Sequence, residues 1–244
     1  MSTHLIKNCT PQSEAADPQA SGRVHALKIL DVIHLTRFMD DKMGKLVRQN
    51  KGATFHLAVS GHEMIGAIAA LSLTPGTDWA LPYYRDRAFA IGLGCSLNDL
   101  LAAFLTRDIQ NHSGGRMMPE HFSQKNLRIP CQSSCVGSQF LQAVGVAKSA
   151  KLRGTKEVVY VSGGDGATSQ GDFHEMLNFS CLHNLPLVIV IQDNGWAISV
   201  PTDEQTAGGT IAKMARGYEG LAVFEVDGCD YVQSTEALAK AVSR

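Results

Sequence analysis

The chain has 244 residues, with 22 Lys and Arg against 23 Asp and Glu for a formal net charge of −1, and is 44% hydrophobic and 18% charged. That balance offers no electrostatic footing for nucleic acid or an anionic membrane surface. No apolar run reaches the roughly 18 residues of a membrane span, so neither partner is expected, and the length suits one large domain with its own core.

Residues 1–24, with Glu14 and Asp17 among Ser, Gln and Pro, lack the apolar stretch of a secretory signal and read as a disordered tail before a domain over 25–244. Val32, Leu35, Met39, Met43 and Leu46 recur at spacings of 3 and 4, which predicts an amphipathic helix over 26–49. A second helix is predicted over 63–71. Ser96 with Asp99 three residues on reads as a capping box. It opens a helix that turns Leu97, Leu100, Leu101, Phe104 and Leu105 inward. The helix predicted over 138–152 carries Ala143, Gly145, Ala147 and Ala150, small enough for close packing.

The rhythm then changes. Val158–Val161 is a β-branched run ending in glycines, followed by a helix over 170–183, a buried strand at Leu187–Ile191, a third strand at Ala222–Val226 and a helix from Ser234. This alternation predicts an α/β fold, a parallel sheet with helices on both faces and a helical N-terminal portion. Of the six cysteines, Cys131 and Cys135 are four apart but have no companion Cys or His pair. No zinc site is expected, and free thiols suit a reducing cytoplasm.

Ligands of open parallel sheets sit at the carboxyl ends of strands, where strand order reverses. Two strand ends here are unusual: Ser162-Gly163-Gly164-Asp165-Gly166-Ala167, and Gln192-Asp193-Asn194-Gly195-Trp196. The glycines allow close backbone approach to a ligand, and the helix beginning near Ser169 directs free N–H groups at that end, which suits phosphate. Asp165 and Asn194 offer two hard oxygen ligands, and Mg²⁺ fills the rest of its octahedron with water and phosphate oxygens. Either segment alone also reads as a turn. Their pairing across 29 residues, each closing a predicted buried strand, is far more specific. No G-x-G-x-x-G follows a strand, and no G-x-x-x-x-G-K-[ST] occurs.

Gly164-Asp165-Gly166 followed by Asn194 resembles the thiamine diphosphate signature. The longer GDGATSQGDFHEMLNF and DNGWAISVPT, with RFMDDKMGKL, SGHEMIGAIAAL, DWALPYYRDRAFAIGLG and GGRMMPEHF in order, resemble the alpha subunit of 2-oxoacid dehydrogenases from about Ala26 onward. The resemblance implies a thiamine diphosphate-binding fold and, residue by residue, a site. Asp165, Asn194 and the Trp196 carbonyl would ligate Mg²⁺. Tyr84 and Arg85 would contact the diphosphate, and Gly164, Gly166 and Ala167 would border it. Ser134 and Val136 would line the cofactor, Val136 holding it bent, with His121 near the reaction centre and Phe55 in the substrate pocket. The bland readings are a surface cation–π pair for Tyr84 and Arg85, a structural histidine for His121 and a core position for Phe55. His62 and His174 read as structural hydrogen-bonders.

The implied reaction is decarboxylation of a 2-oxoacid, of branched-chain type on the DWALPYYRDRA block, with acyl transfer to a lipoyl-bearing acyltransferase. A beta subunit or fused beta region in an alpha2beta2-type assembly would complete the site, in the cytoplasm. A pyruvate or acetoin dehydrogenase alpha subunit is the alternative, and a catalytically silent assembly subunit a third reading. Three departures from the family are notable. Asp193 stands where the family has Asn, and Gln192 where some members direct an Arg toward phosphate. The family's later His- and Ser-bearing loop would lie past Arg244, so the chain reads as a fragment or the first part of a longer or fused polypeptide.

Overall fold

In the computed structural model, which describes residues 2–7, 18–53, 56–107 and 116–243, the first amphipathic repeat forms one long helix, α1 (Pro18–Arg48). Its buried line is Ile29, Val32, Thr36, Met39 and Met43, spaced 3, 4, 3 and 4 along the sequence. Leu35, expected on that line, is one residue off it and stands 40% exposed. Thr36 takes the inward position although it is polar.

Helices α2 (Glu63–Leu71) and α3 (Arg87–Leu93) follow. Their contact is made by small residues: a Cβ added to Gly92 would lie 2.8 Å from the Ala70 Cβ. Helix α4 (Leu97–Phe104) begins where expected, but the Ser96 side chain makes no capping hydrogen bond. Asp99 is also shorter than the Glu or Gln that closes a capping box, so the box is not formed.

The main sheet contains β1 (Ser2–Lys7), β2 (Trp79–Leu81), β3 (Val159–Gly164), β4 (Leu187–Asp193) and β7 (Ala222–Asp227), in the order β2-β3-β4-β1-β7. Strands β2, β3 and β4 run parallel. Between β4 and β7 lies β1, antiparallel to both. The expected parallel sheet is present in β2, β3 and β4. One antiparallel strand, β1, extends it, and that strand is part of the anticipated tail. The physical reason is edge satisfaction: β4 and β7 both present backbone donors and acceptors that need a partner. Residues 8–17 of the expected tail lie outside the described residues.

Helices cover both faces. Alternate residues Val159, Val161, Leu187, Ile189 and Ile191 pack toward α5 (Gln139–Arg153) and α6 (Gly171–His183). Tyr160, Val188 and Val190 face the opposite core, with α1, α2, α3 and α9 (Tyr231–Ser243). A small hairpin of β5 (Trp196–Ala197) and β6 (Val200–Pro201) follows β4, then the short helices α7 (Thr202–Gln205) and α8 (Ile211–Ala215). Because β2, β3 and β4 are ordered as in the chain, no strand-order reversal occurs between β3 and β4. The loops above these strands enclose the cleft instead.

Candidate active site

The register of β3 on β4 pairs Gly164 with Gln192, so Asp165 and Asp193 leave neighbouring strand ends. Asp165 opens a 3-10 turn to Ser169 and is 1% exposed. One carboxylate oxygen accepts from Thr202 Oγ1 at 3.1 Å, while its backbone carbonyl accepts from Thr168 Oγ1 at 2.7 Å and Gln205 Nε2 at 2.9 Å. Burial, and then the charge of Asp193, push its pKa upward. Both effects disfavour the ionised form of Asp165. Asn194 Oδ1 accepts from the Trp196 N–H at 3.0 Å, and Asp193 Oδ1 from the Gly195 N–H at 3.0 Å. Each of these oxygens has a further lone pair.

The close quarters explain the glycines. A Cβ at Gly166 would lie 2.8 Å from the Ala197 Cβ, so the glycine lets the hairpin close over the turn. A Cβ at Gly163 would lie 2.7 Å from Phe140 Cζ.

Above these strand ends is a cavity of about 450 Å³, within the size range of small-molecule sites. Asp165, Asn194, Gly164, Gly166, Ala167 and Trp196 line one side. Tyr84, Arg85, His121, Ser134 and Val136 also line it. Arg85 lies 5.6 Å from the Tyr84 ring centroid and donates from Nη1 to the Ala58 carbonyl at 2.8 Å. The cation–π pair thus exists, but within the cavity wall. The Tyr84 and His121 ring centroids are 6.4 Å apart. His121 Nδ1 is 3.2 Å from the Pro119 carbonyl, an acceptor, which assigns the proton to Nδ1. Phe55 lies outside the described residues. The lining also includes Leu57, Gln132, Gln139, Gln170 and Ile198. These sit on aperiodic loops or at helix starts, where neither spacing nor charge marks them in advance.

Gln192 is not directed toward a phosphate position in the cavity. It does not line the cavity but lies 1% exposed beneath it. Its Oε1 accepts from His62 Nδ1 at 2.6 Å and from the Tyr83 hydroxyl at 3.3 Å, and its Nε2 donates to Asp86 at 2.5 Å. Strand alternation turns residue 192 away from the side that 193 faces. His62 and His174, the latter 3.2 Å from the Tyr218 hydroxyl, both have hydrogen-bond partners.

The same buried network holds Asp86, whose carboxylate accepts from Ser162, Gln192 and Tyr160. Burial nevertheless pushes its pKa up from 3.8 to about 6. A raised folded pKa stabilises the fold fully below the unfolded value and loses that contribution as pH rises through about 6. Asp86→Asn should therefore flatten stability between pH 4 and 7 by about 3 kcal/mol at most, whatever constant cost the amide adds. Urea unfolding of both proteins across that range checks it, and an unchanged pH slope in the variant contradicts it.

Among the described residues no group of three or more His, Cys, Asp or Glu is disposed to hold a metal. A cation at Asp165 and Asn194 would have to complete its shell with water or ligand oxygens, as Mg²⁺ does beside phosphates. Residues 31–244 match the dehydrogenase E1 component family. The chain belongs to that family. It is 37% identical over 210 residues to the 2-oxoisovalerate dehydrogenase subunit alpha of Bacillus subtilis, covering 86% of this chain and 63% of that protein. It is 31% identical to the mitochondrial 2-oxoisovalerate dehydrogenase subunit alpha of Dictyostelium discoideum, covering 93% of this chain and 51% of that one. It is 33% identical to the pyruvate dehydrogenase E1 component subunit alpha of Staphylococcus aureus, covering 89% and 55%. The chain thus spans between about half and two thirds of these relatives' lengths.

Proposed function

We propose that this E1-family chain is the diphosphate-binding alpha part of a thiamine diphosphate-dependent 2-oxoacid dehydrogenase, acting on a branched-chain 2-oxoacid with a beta subunit or fused beta region. One observation carries the reading: Asp165 and Asn194, at the ends of adjacent parallel strands, face the cavity that Tyr84 and Arg85 also line. The donor set fits the cofactor. Asp165 is a buried carboxylate whose pKa is raised by burial and by Asp193, which an Mg²⁺ ion would relieve. The Arg85 guanidinium matches phosphate oxygens.

Thiamine diphosphate would supply the carbanion chemistry that a 2-oxoacid needs to lose carbon dioxide. The protein's share is to place charge and exclude water. Asp165, Asn194 and the Trp196 carbonyl would hold Mg²⁺. Tyr84 and Arg85 would take the diphosphate, bordered by Gly164, Gly166 and Ala167. Ser134 and Val136 would fix the cofactor's body, and His121 Nε2 would serve the reacting end, its partner nitrogen being held by Pro119. The acyl product would pass to a lipoyl-bearing acyltransferase.

Assembled with its beta partner, the protein should bind thiamine diphosphate only when Mg²⁺ is present, and should turn over branched-chain 2-oxoacids faster than pyruvate or acetoin. Calorimetry and steady-state assays measure these. Absence of binding by the complete assembly, restored by Asp193→Asn, would favour a silent assembly subunit. Gln192 does not support that rival, since its side chain is committed to Asp86 and His62.

A further inference from the structure

Beside the cavity lies a buried charged cluster that the proposed chemistry does not use. Arg87, at the start of α3, has no solvent exposure. One arm of its guanidinium pairs with Asp40 of α1, and the other pairs with Glu120. The Glu120 arm also donates to the Leu57 carbonyl at 3.3 Å. Asp40 in turn accepts from the Val59 N–H at 2.8 Å and lies 3.5 Å from His56 Nε2. One guanidinium thus ties together α1, the 56–59 segment and the loop that bears His121.

The two attached segments are both walls of the cavity, through Leu57 and His121. Glu120, immediately before His121, is held at φ +70°, a conformation that a residue with a side chain keeps only when its surroundings enforce it. The Arg87 fork is one restraint on it, since it holds the Glu120 carboxylate. A buried ion cluster is a poor device for stability alone, because desolvation offsets the attraction. A rigid bidentate fork does set geometry, and displacement of a catalytic group by about 1 Å costs about 100-fold in rate.

We propose that Arg87 is a positioning residue of this site, fixing His121 through Glu120 and the Leu57 wall through its backbone carbonyl, with Asp40 anchoring the set to α1. The proposal rests on the reading of the cavity as the thiamine diphosphate site.

Glu120→Gln tests it with little risk to the fold. Gln keeps the shape but replaces the charge-assisted bond from Arg87 by a weaker one to a neutral amide, Arg87 keeps Asp40, and the formal charge of Arg87, Asp40 and Glu120 goes from −1 to 0. The measurements are kcat, KM and cofactor affinity of the assembly with its beta partner, for wild type, Glu120→Gln, His121→Ala and the double variant. Glu120→Gln should lower kcat by about 10- to 100-fold, leave thiamine diphosphate affinity within about 2-fold, and add nothing to His121→Ala within about 2-fold. An equal loss in both backgrounds, or no loss of kcat, overturns the proposal. Amide exchange over 116–122 supplies a readout without turnover. It should quicken in Glu120→Gln, and unchanged protection overturns the proposal. A wild-type assembly that turns over no 2-oxoacid would sink the functional reading instead, and the exchange experiment would then decide the positioning role.

Discussion

Asp165→Ala is expected to weaken Mg²⁺-dependent binding of thiamine diphosphate by the assembled protein by more than about 100-fold. Loss of even an outer-shell partner costs a metal site about 10- to 100-fold, and Asp165 is the one carboxylate that the proposed site places directly on the cation. Asp193 lies beside it but is turned to its own loop, with Oδ1 on the Gly195 N–H at 3.0 Å. It should not substitute. The free chain should respond in the opposite sense. Burial and the Asp193 charge both oppose ionisation of Asp165, so neutral Asp165→Asn should raise the melting temperature without ligand while destroying binding. The gain should be present at neutral pH and vanish in acid, because a group with a raised folded pKa loses its stabilising share as pH rises. Calorimetry and thermal melting, with and without Mg²⁺ and cofactor, measure both halves. Retained binding in Asp165→Ala would remove the basis of the functional reading. A lowered melting temperature for Asp165→Asn would show that its hydrogen bond from Thr202 outweighs the charge.

The candidate site stands out in the sequence more plainly than parts of the fold that carry it. A carboxylate and an amide placed after two buried β-branched strands conflict with good packing, and such local conflict is the usual mark of function. The strands themselves were plain from Val158–Val161 and Leu187–Ile191, since burial on both faces demands continuous apolar runs. The direction of individual side chains was less so. Gln192 is adjacent to Asp193 in sequence yet faces Asp86 and His62 on the far side of the sheet. Thr36 displaces Leu35 from the helix interior because the phase of a whole helix is set by all its contacts, not by one residue's hydrophobicity. Strand β1 is not legible in the sequence because Ser2–Lys7 is short and its partners, β4 and β7, are distant along the chain. The cluster around Arg87 was equally hidden: Asp40, Arg87 and Glu120 are each ordinary as single residues, and only the fold brings them together.

That cluster should also dominate the response to mutation of the scaffold. Arg87→Met is expected to cost about 3–5 kcal/mol of folding stability. The guanidinium is wholly buried, and removing it strands Asp40 and Glu120, both at most 7% exposed, with like charges and no cation between them. Burial already raises the Glu120 pKa against the pull of Arg87, so without that pull the carboxyl should protonate and the stability loss should ease in acid. Adding Asp40→Asn and Glu120→Gln to Arg87→Met should recover most of the stability, since a neutral buried cluster no longer carries unpaired charge. It should not recover turnover, because none of the three replacements rebuilds a two-armed fork between α1 and the His121 loop. Urea denaturation of the single and triple variants, set beside their kcat values in the assembly, separates the two effects. A loss below about 1 kcal/mol for Arg87→Met would mean that the cluster is solvated in solution, and recovery of turnover with stability would show that packing alone places His121.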